Sequence, residues 1–403
     1  MASSVVVLAL AAAAAAGVVL TWFQLAALWA HLRAARPAPT RHPPISILKP
    51  LCGLDDQLAA NLRSFAELAY PSYEVVLGVR SQADAAYAIA CDTVRRWPRR
   101  FRIAVQEGAP GLNPKVNQLM TLARRARHDI LVISDSNARV ERSYLDEIAA
   151  TLEDPTVGLV THPLVGDGEE DRGAELGAVA DNLHLTGVIT PSIVAAKLLC
   201  GKDYVVGKSM AMRRADVDAL GGFASVKDVL AEDFVLGRAV VEQLRKRVVL
   251  AHSPVTCVSV RRRLGGFVRR YARWNVMQRQ CAGVPAYVAL LLENPALLSV
   301  LAAAIDRSTP MVALACAAGA SRMATDALAG RLLRGRAFSP RALLLGSVKD
   351  LLCAGAWAYG LVSRTIEWRS HRLTVLRGSR LRVRVRTARR IPVVTPVAAR
   401  KAA

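Results

Sequence analysis

The chain is short of every standard signature for cofactor or nucleophile chemistry. It has no GxGxxG and no GxxxxGK[ST], so the dinucleotide and P-loop fingerprints are missing. It has no GxSxG and no HExxH, which removes the usual serine-hydrolase and zinc-peptidase patterns. Its seven cysteines, at positions 52, 91, 200, 257, 281, 316 and 353, are an odd number without a CxxC pair. That pattern excludes a disulfide framework and a cysteine zinc site, and suits small hydrophobes in a reducing compartment. Acidic residues are also scarce: 32 Asp and Glu stand against 54 Lys and Arg, a net charge of +22 over 403 residues. So large an excess implies an anionic partner, either nucleic acid or a membrane surface.

Hydrophobic residues are plentiful, at 53% with only 21% charged, and the mean hydropathy is +0.26. The apolar excess lies in blocks. Val5 to Ala30 is a run of 26 residues without a charge, enough to cross a bilayer as a helix. Arg33, Arg36 and Arg41 follow it, whereas a cleaved leader carries its positives ahead of the apolar run. Residues 1–35 therefore read as an uncleaved anchor with the following chain in the cytoplasm, at a bacterial inner membrane. Residues 42–280 contain no second long apolar run and form the globular unit. Hydrophobicity returns over 284–363, in Val284–Ile305, Pro310–Ala329 and Leu343–Val362. The first is interrupted by Glu293-Asn294-Pro295, and the second carries Arg322 and Asp326. Residues 364–403 are a basic tail whose Leu381–Arg386 stretch alternates apolar residues with Arg. Beside membrane helices, contact with anionic lipid headgroups outweighs a nucleic-acid arm, and no nucleic acid is expected. Three crossings after the globular unit would leave the tail outside, whereas its charge places it inside; the side is left open.

Within 42–280, apolar and β-branched runs at 45–48, 73–79, 101–105, 130–134, 157–160 and 248–260 alternate with helical patterns at 58–68, 84–96, 115–126 and 143–152. This predicts an α/β fold on a mainly parallel sheet, with ligands bound beyond the carboxyl ends of the strands. Asp135-Ser136-Asn137 stands at such an end. Asp135 and Asn137 supply oxygen ligands suited to a divalent cation, Mg²⁺ or Mn²⁺, that neutralises a diphosphate. Glu232-Asp233 follows an apolar stretch at a helix start, and Asp233 can serve as a general base. Lys115 opens a helix after Asn113-Pro114 and can reach a phosphate. Arg270 and Arg273 share a helix face suited to phosphate oxygens, with Trp274 placed to stack on an acceptor. Each motif has a bland counterpart: a turn, a cap, a helix-dipole charge or a snorkelling side chain.

As a set they are more specific. The segments Ser46-Ile-Leu-Lys-Pro-Leu-Cys-Gly53, Tyr70-Pro-Ser-Tyr-Glu74, Leu112-Asn-Pro-Lys-Val-Asn-Gln-Leu119 and Val206-Gly-Lys-Ser-Met210 occur in order with Asp84, Asp135, Glu232-Asp233, Arg270-x-x-Arg273-Trp274 and Trp368-Arg369. This order resembles the family-2/21 type membrane glycosyltransferases, and among them the ceramide glucosyltransferase (glucosylceramide synthase) family, with hopanoid glycosyltransferases as close relatives. The resemblance implies a GT-A fold and inversion at the anomeric carbon. It assigns Asp84 to the nucleotide site, Asp135 to the metal–diphosphate site, Asp233 as catalytic base, and Arg270, Arg273 and Trp274 to the (Q/R)xxRW motif. It implies a UDP-sugar donor, UDP-glucose first, and a membrane-lipid acceptor, ceramide first. Hopanoid or diacylglycerol acceptors are the alternative. A processive polysaccharide synthase or a non-enzymatic basic membrane protein is more remote.

Overall fold

The computed structural model describes residues 2–368 and 371–383. Helix α1 (Ala2–Arg33) precedes the α/β unit. Then follow β1 (Ile45–Pro50), α2 (Leu58–Ala66), β2 (Tyr73–Val79), α3 (Ala86–Arg96), β3 (Phe101–Val105), α4 (Pro114–Arg125) and β4 (Ile130–Ser134). Next come β5 (Ala138–Arg139), α5 (Tyr144–Leu152), β6 (Val157–Thr161), β7 (Leu164–Asp167), α6 (Leu176–His184) and α7 (Thr190–Cys200), the last two joined by a π-helical turn. The unit ends with β8 (Ser209–Arg213), α8 (Arg214–Ala219), α9 (Glu232–Glu242), β9 (Arg247–Leu250) and β10 (Val255–Val258).

Seven strands form the main sheet in the order β3-β2-β1-β4-β8-β6-β9. The first four run parallel, and β8 is antiparallel to both β4 and β6. Strands buried on both faces need continuous apolar sequence, and Ile130-Leu-Val-Ile-Ser134 provides it. Successive side chains alternate faces: Ile45, Ile47, Val75 and Leu77 enter one core, Leu48 and Val76 the other. The stretch 248–260, read as extended, is two strands broken between Leu250 and Val255. β10 belongs to a second small sheet with β5 and β7.

One helical stretch of this unit goes beyond the sequence reading. Leu176–Cys200 is a 25-residue helical stretch, half buried, and apolar enough to cross a membrane. Asp181, Asn182, His184 and Lys197 interrupt its apolar sequence, so no long run announces it. It packs against α1 and the helices that follow the α/β unit.

Those helices are α10 (Leu264–Ala282), α11 (Val284–Ala289), α12 (Pro295–Ile305), α13 (Thr309–Arg334) and α14 (Pro340–Val362). Among the described residues α1, Leu176–Cys200 and α14 are long and apolar enough to span. Segments 284–293 and 295–305 pass only as a pair bent by 81°. Proline at the start of α12 and the side-chain cap of Asn294 on Leu297 account for the break. α13 is not among the candidates. Its Arg322 and Asp326 are buried in a charge cluster with Lys349 and Asp350 of α14.

The described part of the basic tail is not a loose arm. Strands β11 (Thr365–Trp368), β12 (His371–Val375) and β13 (Leu381–Val383) form an antiparallel sheet beside α10. Ser379 O accepts from Leu230 N at 2.8 Å, Ser379 Oγ accepts from Ala231 N at 2.9 Å, and Leu381 N donates to Asp228 O at 2.7 Å. These bonds hold the described strands β11–β13 against the α/β unit. Arg369, Arg384, Arg386, Arg389 and Arg390 lie outside the described residues.

Candidate active site

The site grows from three chain starts and ends at one rim of the main sheet. Asp135 follows β4 directly, so a fully buried strand delivers it to the carboxyl end of the sheet. Lys115 is delivered by α4. Asn113 caps that helix, its side chain accepting from the backbone N–H groups of Lys115 and Val116 at 2.9 and 3.2 Å, and Pro114 fixes the first turn. Glu232 and Asp233 open α9, where acids suit the positive end of the helix.

These starts meet through Lys115. Its Nζ lies 2.9 Å from Asp135 Oδ1 and 2.9 Å from Glu232 Oε1, and donates to Gly207 O at 2.8 Å. Asn113 Nδ2 donates to Glu232 Oε2 at 3.1 Å, holding the other carboxylate oxygen. Burial would lower the Lys115 pKa, but Asp135, Glu232 and Asp233 outweigh it and hold the ammonium well above its ordinary value. Burial would raise Asp135, yet Lys115 and Lys208 outweigh it and keep that carboxylate ionised far below its usual range.

Asp233 behaves oppositely. Burial and then the Glu232 charge raise its pKa to about 6, against the pull of Lys115 and of two backbone N–H groups. Gly207 N donates to Oδ2 at 2.6 Å and Phe234 N to Oδ1 at 2.8 Å. Side by side, then, the site holds a permanently ionised carboxylate tied to lysines and a carboxylate poised near neutrality. Diverging pKa values in neighbouring acids mark an assignment of separate roles.

Asp84 stands apart from this cluster. It lies beyond β2, just ahead of α3, with Oδ1 accepting from Ala86 N at 2.9 Å and from Gly53 N at 2.8 Å. It thereby ties the loop after β1 to the start of α3, at the same rim. Arg270 is held from within the protein. Its Nη1 donates to buried Asp181 Oδ2 at 3.0 Å, and its guanidinium stacks 4.6 Å from the Trp274 ring. Tyr271 OH (2.9 Å) and Arg262 Nε (3.2 Å) share Asp181. Arg273 lies on α10 between them, half-buried. Trp274 packs against the cluster of Leu164, Leu185 and Cys257, as does Val206, the neighbour of Gly207, and it lines a cavity with His184, Tyr271, Asn275 and Trp357.

Sequence reasoning missed three contributors. Lys208 Nζ lies 2.9 Å from Asp135 Oδ2 and donates to Asn137 Oδ1 at 2.8 Å. Lys49, fully buried at the end of β1, donates to Asp135 O at 2.7 Å and sits 3.9 Å over the Phe65 ring. Burial lowers its pKa to about 7, opposed by Asp135 and Asp55. Asp181 emerges only from its 89-residue-distant pairing with Arg270. The signals for the two lysines were the segments Ser46–Gly53 and Val206–Met210, which contain them.

Comparison with known proteins agrees with this architecture. The model of glycosyl transferase family 21 matches residues 9–381. The chain belongs to that family. Ceramide glucosyltransferase 1 of Caenorhabditis elegans is 27% identical over 245 residues, covering 59% of this chain and 50% of the relative. The ceramide glucosyltransferase of Komagataella phaffii is 31% identical over 113 residues, 27% of this chain and 22% of that one. The family 21 chain thus spans at most about half the length of these curated relatives. A solved mannosyltransferase of Pyrobaculum calidifontis, in complex with GDP-Man and Mn²⁺, is 19% identical with a TM-score of 0.56, covering 89% of this chain and 99% of its own. That likeness shows the fold, which is of GT-A type.

Among the described residues no three His, Cys, Asp or Glu cluster as a metal site. Asp135 and Asn137 nevertheless aim two oxygens at one point, where the Lys208 ammonium stands. Carboxylate and amide oxygens are the donor type a divalent cation takes, and two such atoms leave most of its coordination to a bound ligand.

Proposed function

We propose that this family 21 protein transfers glucose from UDP-glucose, with inversion, to the primary hydroxyl of ceramide. The carrying observation is the paired environment of Asp233 and Asp135 around Lys115. Asp233, with its pKa near 6, is ionised at neutral pH yet close enough to it to take a proton efficiently. As the acceptor oxygen attacks the anomeric carbon, its proton passes to an Asp233 carboxylate oxygen. The bond to the diphosphate oxygen breaks and leaves negative charge there. Lys115, held ionised by three carboxylates, stabilises that charge without reorganisation. Direct displacement needs no enzyme nucleophile.

A divalent cation belongs to the same reading: Asp135 and Asn137 would hold it, and it would supply Lewis-acid stabilisation of the leaving diphosphate. Asp84, at the shared rim, serves the nucleotide pocket. Arg270 acts through Asp181 and Trp274, and Arg273 lies on the same helix. The cavity behind Trp274 faces the helices apolar enough to meet a bilayer, which suits an amphiphilic acceptor whose hydroxyl must arrive at headgroup depth. The relatives named as ceramide glucosyltransferases support the acceptor.

The test is transfer by the full chain in detergent, from a panel of UDP-sugars to ceramide, diacylglycerol and a hopanoid polyol. Glucosylceramide is the expected product. Transfer confined to another lipid would keep the chemistry and overturn the acceptor.

A further inference from the structure

Lys208 occupies a position that its role as a neighbour of Gly207 does not require. Its Nζ contacts Asp135 Oδ2 at 2.9 Å and Asn137 Oδ1 at 2.8 Å, the two oxygens that form the cation seat. Asp135 Oδ1 is taken by Lys115. The backbone fixes this placement: β8 pairs with β4 in the register Ser134–Ser209, and Asp135 N donates to Lys208 O at 3.3 Å. The lysine is therefore carried in alongside Asp135 rather than reaching across from a loose loop, and its side chain is only 17% exposed.

The charges make this consequential. Asn137 is neutral, so the seat has one carboxylate, and two ammonium groups already share it. A dication approaching the donor-free site meets both positive charges at contact distance in a partly desolvated pocket, where repulsion is weakly screened. It gains the seat only if an ammonium leaves. An arriving diphosphate gives that ammonium a place to go, since its oxygens pair with lysine as a point charge.

We propose that Lys208 is the resident cation of this site: it fills the Asp135–Asn137 seat in the donor-free protein, excludes a dication, and transfers to the diphosphate when the nucleotide sugar binds. Donor and dication then bind cooperatively, each raising the affinity of the other by the same factor. The inference rests on the reading of the site as one for a UDP-sugar with a dication.

The experiment is Mn²⁺ binding to the full chain in detergent, followed by electron paramagnetic resonance, with and without UDP. The parent should bind Mn²⁺ weakly alone and more tightly with UDP. Lys208→Met should bind Mn²⁺ without UDP on the order of tenfold more tightly than the parent and show a correspondingly smaller UDP effect, the remainder being the direct ligation of the cation by diphosphate, since coupling between sites typically spans 5–150-fold. Lys208→Gln, which keeps a donor without the charge, should follow Lys208→Met, and Lys208→Arg should follow the parent. Circular dichroism shows whether each variant is folded. Folded Met and Gln variants without a gain in affinity, beside a parent that binds Mn²⁺ with UDP, overturn the proposal alone. A parent that binds no Mn²⁺ even with UDP overturns the dication reading and the proposal together.

Discussion

Removal of Lys115 tests the electrostatic design of the site. Lys115→Met deletes the ammonium that contacts Asp135 and Glu232 at 2.9 Å each, with the three side chains 15%, 22% and 7% exposed. At an effective dielectric near 20, each contact is worth roughly 5–6 kcal/mol before desolvation is subtracted. Breaking a buried pair by removing one partner typically costs about 3–5 kcal/mol net. The partial exposure of Asp135 favours the low end, so a stability loss of about 3 kcal/mol is expected. Two further readouts separate electrostatics from packing. Glu232→Gln in the Lys115→Met background should restore part of the loss, with a coupling energy of at least about 1 kcal/mol in a double-mutant cycle. The acid limb of the activity profile should also move to higher pH, because Lys115 lowers the Asp233 pKa. Denaturant melts and a pH–rate series supply both measurements. Additive single-variant losses together with an unmoved acid limb would refute the reasoning.

Other consequences can be checked separately. In the parent, activity should fall as pH drops through about 6, because the base must be unprotonated and the folded value of Asp233 is raised to that point; a plateau down to pH 4.5 would argue against it. Gly207→Ala would place a Cβ 2.6 Å from Asp233 Oδ2, so the carboxylate must shift; kcat should fall at least about tenfold with little change in UDP affinity measured by calorimetry. Ser379→Ala removes the hydroxyl that holds Ala231 at the start of α9; it should cost about 1 kcal/mol and lower kcat, although Ser379 lies 146 residues beyond Asp233.

Most of the parallel half of the sheet could be read from local pattern, because each strand there is a dense apolar run flanked by an amphipathic helix. Asp135 was visible for the same reason: the run Ile130-Leu-Val-Ile-Ser134 ends where a carboxylate begins. β8 was not, since Ser-Met-Ala-Met-Arg lacks β-branched residues and owes its strand to pairing between β4 and β6. The Val206–Met210 segment contained Lys208, but without that strand its place beside Asp135 could not be read. Spacing put Arg270 and Arg273 on one helix face, but it does not show the buried acid 89 residues away that pairs with Arg270. Charge alone likewise made the C-terminal segment a tail. Its alternation was the sign of a strand, but the contact of Ser379 with Ala231 depends on the whole path of α13 and α14.

The central claim is that Asp233 takes the acceptor proton in a sugar transfer to lipid. The most direct measurement is glucose transfer from UDP-glucose to ceramide by Asp233→Asn beside the parent, with UDP-glucose binding measured on both. The account predicts a rate loss of about 10²–10⁴-fold with donor binding retained. Parent-like turnover by Asp233→Asn would contradict it.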